Sequence, residues 1–438
     1  MTASAETTVL LGGRVVDPAS NRDERADLVI ERGRVLRCGP GAAEGVSGEH
    51  VRTIDASEHW VVPGLIDLHV HFREPGQEYK EDIESGLRAA AAGGFSAVCC
   101  MPNTTPVNDT RAITETMMAR AADVSGARLH PFGAITRGLR GDELTEMADL
   151  KEAGAIGVSD DGLCVMNAAV MRHALEYAAT FDLLVAQHCE DHHLTAGAQM
   201  HEGPTAAQLG LRGWPREAED IIVARDILLA ARTRTRYHVA HLSTAGAARL
   251  VGEAKARGLP VSAEVTPHHL LFTDQAVLGY DTHCKVNPPL REPEDVEALR
   301  QALRDGAIEC IATDHAPHTP LEKDCEFDAA AVGINGLETA VAAMLGLVRD
   351  DVLTPLRLID AMSTSPARLG GLDGGSLAVG AVADVTVLDP NHRWTVTRDQ
   401  LASKSHNTPL LGQELQGRVG QTFVGGKLVY DRSDAEAP

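Results

Sequence analysis

The sequence predicts an α/β fold: a closed (β/α)8 TIM barrel with a small β-sandwich domain built from both chain termini. Three observations predict it. The middle of the chain alternates short aliphatic runs with Ala-rich amphipathic segments, both ends are short β-rich pieces broken by Gly, Pro and Asp, and no Gly-x-Gly-x-x-Gly follows any strand, as an open doubly wound sheet would normally show. At 438 residues the chain has room for a barrel of roughly 250 residues or more and a second module. Hydrophobic residues make up 44% and aromatics only 3%, so the core must be aliphatic.

The N-terminal β-rich pieces are 9–11, 14–16, 28–30, 35–36 and 51–54, none with helical periodicity. The C-terminal ones are 384–388, 394–396 and a hairpin over 422–430, whose Gly425-Gly426 suits a two-residue turn. These ends define the expected division: 1–60 and 371–438 as the two parts of the sandwich, and 61–370 as the barrel. Candidate barrel strands are 65–71, 96–103, 128–135, 155–161, 183–188, 237–241, 260–265 and 307–314. The helical runs between them are 82–92, 111–124, 142–153, 168–180, 217–232, 245–256 and 294–304.

Composition excludes several partners. A formal charge of −22 argues against nucleic acid or an anionic membrane surface. No apolar run approaches the roughly 20 residues of a membrane helix, and residues 1–6 lack the basic-then-apolar layout of a signal peptide. The eight cysteines, Cys38, Cys99, Cys100, Cys164, Cys189, Cys284, Cys310 and Cys325, form no Cys-x-x-Cys pair, which reads as reduced thiols in a cytoplasmic protein.

The stretch Asp67-Leu68-His69-Val70-His71-Phe72-Arg73 closes an apolar run that begins at Trp60, so it reads as the end of a buried strand. Alternation puts Asp67, His69 and His71 on one face, with the two histidines roughly 7 Å apart along the strand. Alone, His-x-His could equally be two core histidines satisfied by carbonyls. Other strand ends decide the matter, because a (β/α)8 barrel carries its active site there. The fourth strand ends in Ser159-Asp160-Asp161-Gly162, the fifth in Gln187-His188-Cys189-Glu190-Asp191, the sixth in His241-Leu242-Ser243-Thr244, and the eighth in Thr313-Asp314-His315-Ala316-Pro317-His318. His69, His71, His188, His241, Asp161 and Asp314 thus converge on one rim.

Imidazoles with carboxylates suit a pair of divalent ions of the zinc kind. Asp161 is placed to bridge them, a bridging hydroxide would attack a carbonyl, and Asp314 would carry the proton to a leaving nitrogen. That chemistry makes or hydrolyses an amide-type C–N bond. Asp160 faces away from Asp161 and reads as a surface or capping carboxylate. His192, His193, His268, His269 and His315 lie near the rim and read as supporting or solvated groups.

These residues resemble the amidohydrolase superfamily, and within it the type I dihydroorotases. The resemblance covers nearly the whole chain. It rests on Asp-Leu-His-Val-His-Phe-Arg-Glu-Pro-Gly from Asp67, Met-Pro-Asn-Thr from Met101, Ser-Asp-Asp-Gly from Ser159, His-Cys-Glu-Asp from His188, His-x-Ser-Thr from His241, Pro-His-His-Leu from Pro267, Lys-Val-Asn-Pro-Pro-Leu from Lys285 and the run Ala312 to His318. It implies two zinc ions per subunit, one held by His69, His71, Asp161 and Asp314, the other by Asp161, His188 and His241, with Asp314 as general acid/base. It also implies substrate contacts from His71, Arg73, Asn103, Asn287 and His318, with the backbone around Val332 and Gly333 closing over the ring. The expected reaction is reversible cyclisation of N-carbamoyl-L-aspartate to L-dihydroorotate in pyrimidine biosynthesis.

A homodimer, and in some members a complex with aspartate transcarbamoylase, come with the resemblance. Hydantoinases and allantoinases are the nearest alternative and use a carboxylated lysine on the fourth strand. That strand has no lysine here, and Lys151 belongs to the preceding helix. An inactive structural homologue should have lost ligands, and none of the carried-over positions departs from the pattern.

Overall fold

The computed structural model describes residues 7–435; residues 1–6, on which the signal-peptide reading rests, lie outside the described residues. The eight barrel strands are β1 (Leu65–Val70), β2 (Phe95–Cys100), β3 (Arg128–Gly133), β4 (Gly157–Ser159), β5 (Leu184–Gln187), β6 (Tyr237–Val239), β7 (Val261–Val265) and β8 (Cys310–Ile311). They pair in parallel in chain order, β1 through β8, and a bridge between Val70 and His315 joins the last strand's continuation to the first. Each predicted strand is present. Ile66, Leu68, Ala97, Cys99, Phe132, Leu184, Ala186 and Cys310, from five strands, form one buried cluster that fills the barrel, so its interior is a packed core.

Helices follow the strands, and local chemistry fixes several starts. Asp82 and Ser85 form a capping box before Ile83–Ala92, Asn167 caps Ala168–Thr180, and Thr244 caps Ala245–Ala256. The predicted helix over 142–153 is shorter, Met147–Glu152. The Thr145 hydroxyl donates to Ala134 O at 2.7 Å, and Thr136 pairs with Leu144, so side-chain and backbone bonds hold 142–145 in a non-helical path along the end of β3.

The chain termini together make one eight-stranded sheet. Its order is Lys427–Asp431, Glu414–Val424, Val385–Thr395, Trp60–Pro63, Thr7–Asp17, Arg22–Glu31, Arg34–Gly39, with Val51–Asp55 also paired to Thr7–Asp17. The sheet curls: Leu10, Leu28, Ile30, Val385, Val387 and Phe423 share one buried cluster, and a Cβ on Gly33 would meet Gly425 O at 2.8 Å, so its distant turns touch. The hairpin turn at Gly425-Gly426 has φ of +55° and +77°, as the two-residue turn requires.

The apolar run from Trp60 to His71 divides between the two sheets, which periodicity alone did not predict. Trp60–Pro63 joins the terminal sheet and Leu65–Val70 the barrel. A Cβ on Gly64, between them, would lie 2.5 Å from Ser96 Oγ, so only glycine lets the backbone pass there. The connection 396–413, between Val385–Thr395 and Glu414–Val424, crosses back over the barrel mouth. There Ser405 Oγ donates to Lys80 O at 2.7 Å, and the backbone N–H of His318 donates to Asn407 Oδ1 at 2.9 Å. Among the described residues no helix is long and apolar enough to cross a membrane.

Candidate active site

At the C-terminal rim of the barrel, four imidazoles surround two carboxylates. His69 Nε2 lies 3.3 Å from Asp161 Oδ1 and 3.7 Å from Asp314 Oδ1. His71 Nε2 is 2.9 Å from Asp314 Oδ1 and 3.5 Å from Asp161 Oδ2. His241 Nε2 is 3.3 Å from Asp161 Oδ1 and 2.9 Å from His188 Nδ1. Asp161 is therefore central, with imidazoles from β1, β5 and β6 on its two oxygens. The surrounding structure holds the set in strained backbone: His241 and Asp314 are non-glycine residues at φ of +30° and +49°, and Arg73 beside them is at +61°. Such conformations cost of order 1–3 kcal/mol each and persist where the surrounding structure fixes them.

Three of the four rings are fixed from behind, while His241 Nδ1 has no partner. His69 Nδ1 donates to Glu264 Oε1 at 2.6 Å, His71 Nδ1 to Asn103 Oδ1 at 2.9 Å, and His188 Nε2 to Glu190 Oε2 at 2.9 Å. A ring nitrogen that donates to a carboxylate or carbonyl leaves the opposite nitrogen as a lone pair, and here those lone pairs face the carboxylates. His69 Nε2 has no hydrogen-bond partner, and two ring nitrogens, of His188 and His241, face each other at 2.9 Å. Both observations fit a donor set for divalent cations. Donor atoms of His69, His71 and Asp314, and of His69, Asp161 and His241, lie within 4.8 Å of one another, so His69 belongs to both groups.

Electrostatics agrees with ionised carboxylates. Burial alone would raise Asp161, but the imidazoles of His69, His188 and His241 gathered around its oxygens hold it well below the usual carboxylate range. Asp314, equally buried, is drawn to about 2 by His71 and His69.

One cavity of about 180 Å³ is lined by His71, Arg73, Asn103, Asp161, His188, His241, Asn287, Asp314, His318, Val332 and Gly333. Every residue singled out from the sequence lines it except His69, which lies beneath. No carboxylate lies within ion-pair distance of Arg73 among the described residues; its Nε donates to Pro317 O at 3.2 Å, and Nη2 lies 3.4 Å from His318 Nε2. Neither Glu74 nor Glu78, its neighbours in the sequence, forms a salt bridge with Arg73. Asn287 Nδ2 donates to Glu190 Oε2 at 3.1 Å, while its Oδ1 is unmatched. Gly333 has φ +141°, and a Cβ there would meet Ala316 Cβ at 2.6 Å, so the loop can lie this close only with glycine.

Asp160 is not on the surface: it is 1% exposed and accepts from Thr136 N at 2.9 Å, fastening the loop after β3, and burial raises it to about 6. His268, His269 and His315 are buried around the site, His192 accepts from Cys164 N at 3.0 Å, and His193 is exposed. The charge-rich stretch 319–328 is pinned: the buried Lys323 donates to Thr282 O, Lys285 O and Ala331 O, and Lys80 pairs with Glu322 at 2.6 Å. Sequence reasoning missed Glu264, Glu190 as a partner of His188, and Asp67, which accepts from the backbone N–H groups of His69 and Thr313 at 3.0 and 3.1 Å. Lys151 points away from the site, its ammonium on Phe181 O.

Comparison with known proteins identifies the chain's relatives. A family model described as Dihydro-orotase-like matches residues 58–247, and one described as Amidohydrolase family matches 223–430. The chain is 55% identical over 428 residues to the dihydroorotase of Anaeromyxobacter dehalogenans strain 2CP-1, covering 97% of this chain and 98% of that protein. It is 51% identical over 422 residues to that of Trichlorobacter lovleyi, covering 96% and 99%. Among solved structures, the L-hydantoinase of Arthrobacter aurescens superposes with a TM-score of 0.86 at 24% identity, over 98% of this chain and 96% of that one, a likeness of fold. With identity above half over nearly its whole length, the chain belongs to the dihydroorotase family of the amidohydrolases.

Proposed function

We propose that the protein interconverts N-carbamoyl-L-aspartate and L-dihydroorotate, using two zinc ions held by His69, His71, Asp161, His188, His241 and Asp314. The observation that carries this reading is the single cavity in which Arg73, Asn103, Asn287 and His318 stand around the Asp161–Asp314 cluster. When bound, the ions supply a Lewis acid and a water of lowered pKa. The rest is done by the chain. Arg73, oriented by Pro317 O, keeps N–H groups free for the substrate carboxylate, a planar match that a lysine would not give. Asn287 Oδ1, unmatched in the protein, suits a ring N–H. Asp314, ionised and in contact with His71, takes a proton from the attacking oxygen and hands it to the departing ring nitrogen; ring closure reverses the transfer. In a protein of charge −22, these local donors must attract a dianionic substrate, since the overall field repels it.

The test is ring opening of L-dihydroorotate by the purified protein, run beside hydantoin and allantoin. Turnover of dihydroorotate alone supports the reading; turnover of only the other rings moves the activity to the hydantoinase side; no turnover with metal bound makes the chain a structural homologue. A homodimer and a complex with aspartate transcarbamoylase belong to the same reading on family resemblance. Sedimentation of the protein alone and mixed with aspartate transcarbamoylase tests both.

A further inference from the structure

Asn407 lies in the 396–413 connection of the terminal sheet, far in sequence from every residue of the cavity, and is 2% exposed. Its side-chain amide is spent on two cavity loops. Oδ1 accepts from the backbone N–H of His318 at 2.9 Å, and Nδ2 donates to Ala316 O at 2.9 Å and to Gly333 O at 3.1 Å. Its backbone carbonyl accepts from Asn335 N at 3.0 Å. The same loops meet directly, Ala316 N on Ile334 O at 3.0 Å and His318 Nε2 on Val332 O at 2.9 Å, and the contact at Gly333 leaves no slack. The connection is itself anchored, Ser405 Oγ donating to Lys80 O and Asn335 Nδ2 donating to Ser403 Oγ at 3.1 Å.

We propose that Asn407 is a positioning residue for substrate binding: it staples the loop carrying His318 to the loop carrying Val332 and Gly333, and so sets the wall of the cavity opposite the metal ligands. An asparagine suits this because one planar group must offer an acceptor and two donors at once to three backbone groups. The role acts on binding and leaves the chemistry alone, since none of its bonds reaches Asp161, Asp314 or a metal-facing imidazole. The proposal rests on the reading of His318 as a substrate contact.

The experiment compares Asn407→Ala, His318→Ala and the double variant by KM and kcat for L-dihydroorotate, zinc content, and hydrogen exchange at the His318 amide. Asn407→Ala is expected to raise KM about tenfold, with kcat within about threefold, zinc unchanged and faster exchange at His318. The double variant should raise KM by less than the product of the two single effects, because Asn407 acts in part through His318. A wild-type KM in Asn407→Ala, when His318→Ala raises it, overturns the proposal, and so does a fully additive double variant. If His318→Ala leaves KM unchanged, the reading of His318 fails, and exchange at its amide still judges the staple: unchanged exchange in Asn407→Ala overturns it. Should the alanine variant not fold, Asn407→Asp keeps the acceptor and loses both donors. It is expected to raise KM while His318 stays protected, and a wild-type KM there overturns the proposal.

Discussion

Replacing Glu264 with glutamine probes the support behind the metal-facing ring shared by both donor groups. Glu264 sits on β7 and is 1% exposed; Oε1 lies 2.6 Å from His69 Nδ1 and 3.2 Å from the backbone N of His241, and Oε2 lies 3.1 Å from His238 Nε2. Burial by itself would raise this carboxyl, but the charges and hydrogen bonds of His69 and His238 hold it well below the usual carboxylate range, so the group is an anion. Glutamine has the same shape. Its carbonyl can stay on His69, and its amide can donate to His238 once Ser262 Oγ, 2.8 Å from His238 Nδ1, takes the other ring proton position. The variant therefore keeps the packing and removes the negative charge that, on the proposed reading, strengthens His69 as a ligand. Loss of such an outer partner weakens metal binding about 10- to 100-fold, or about 1.4–2.7 kcal/mol. The upper half of that range is expected, because the carboxylate is buried and its shortest bond is charge-assisted. Competition against a chromophoric chelator measures the zinc affinity, with melting curves to confirm the fold. An affinity within about threefold of wild type would refute the reasoning.

Three further outcomes are expected. Asp314→Asn should keep the fold and lower turnover by about 10² to 10⁴, and near-normal turnover would remove Asp314 from proton transfer. Arg73→Ala should raise KM by about ten- to a hundredfold with zinc content unchanged, since its guanidinium touches no metal-facing group; loss of zinc would show Arg73 to be structural. Lys323→Met leaves Ala331 O without a donor, while Thr282 O keeps Lys285 N and Lys285 O keeps Gly333 N, and should cost about 1–3 kcal/mol in denaturant unfolding, where a loss below about 0.5 kcal/mol would mean that water replaces the side-chain amine.

The barrel was legible because its strands are aliphatic runs of the right length, and the site because barrel chemistry gathers at strand ends. Alternation separated Asp161 from Asp160, although it could not show Thr136 burying the latter. The split of the run 60–71 escaped periodicity: both halves are apolar, and only the space at Gly64 divides them. Glu264 left a readable signal, a lone acid in the buried strand Val261-Ser262-Ala263-Glu264-Val265, since a buried carboxylate needs a partner. Asn407 left none, because its partners are backbone groups of loops more than seventy residues earlier in the chain.

The central claim is that His69, His71, Asp161, His188, His241 and Asp314 hold two metal ions that the ring chemistry requires, with Asp161 at the centre. Its most direct test is to strip the protein with a chelator and add zinc back stepwise, following ring opening of L-dihydroorotate in wild type and Asp161→Ala. The account predicts no turnover without metal, recovery complete at two equivalents in wild type, and at least one equivalent and most activity lost in Asp161→Ala. Full turnover by the stripped protein, or two tightly bound ions in Asp161→Ala, would contradict it.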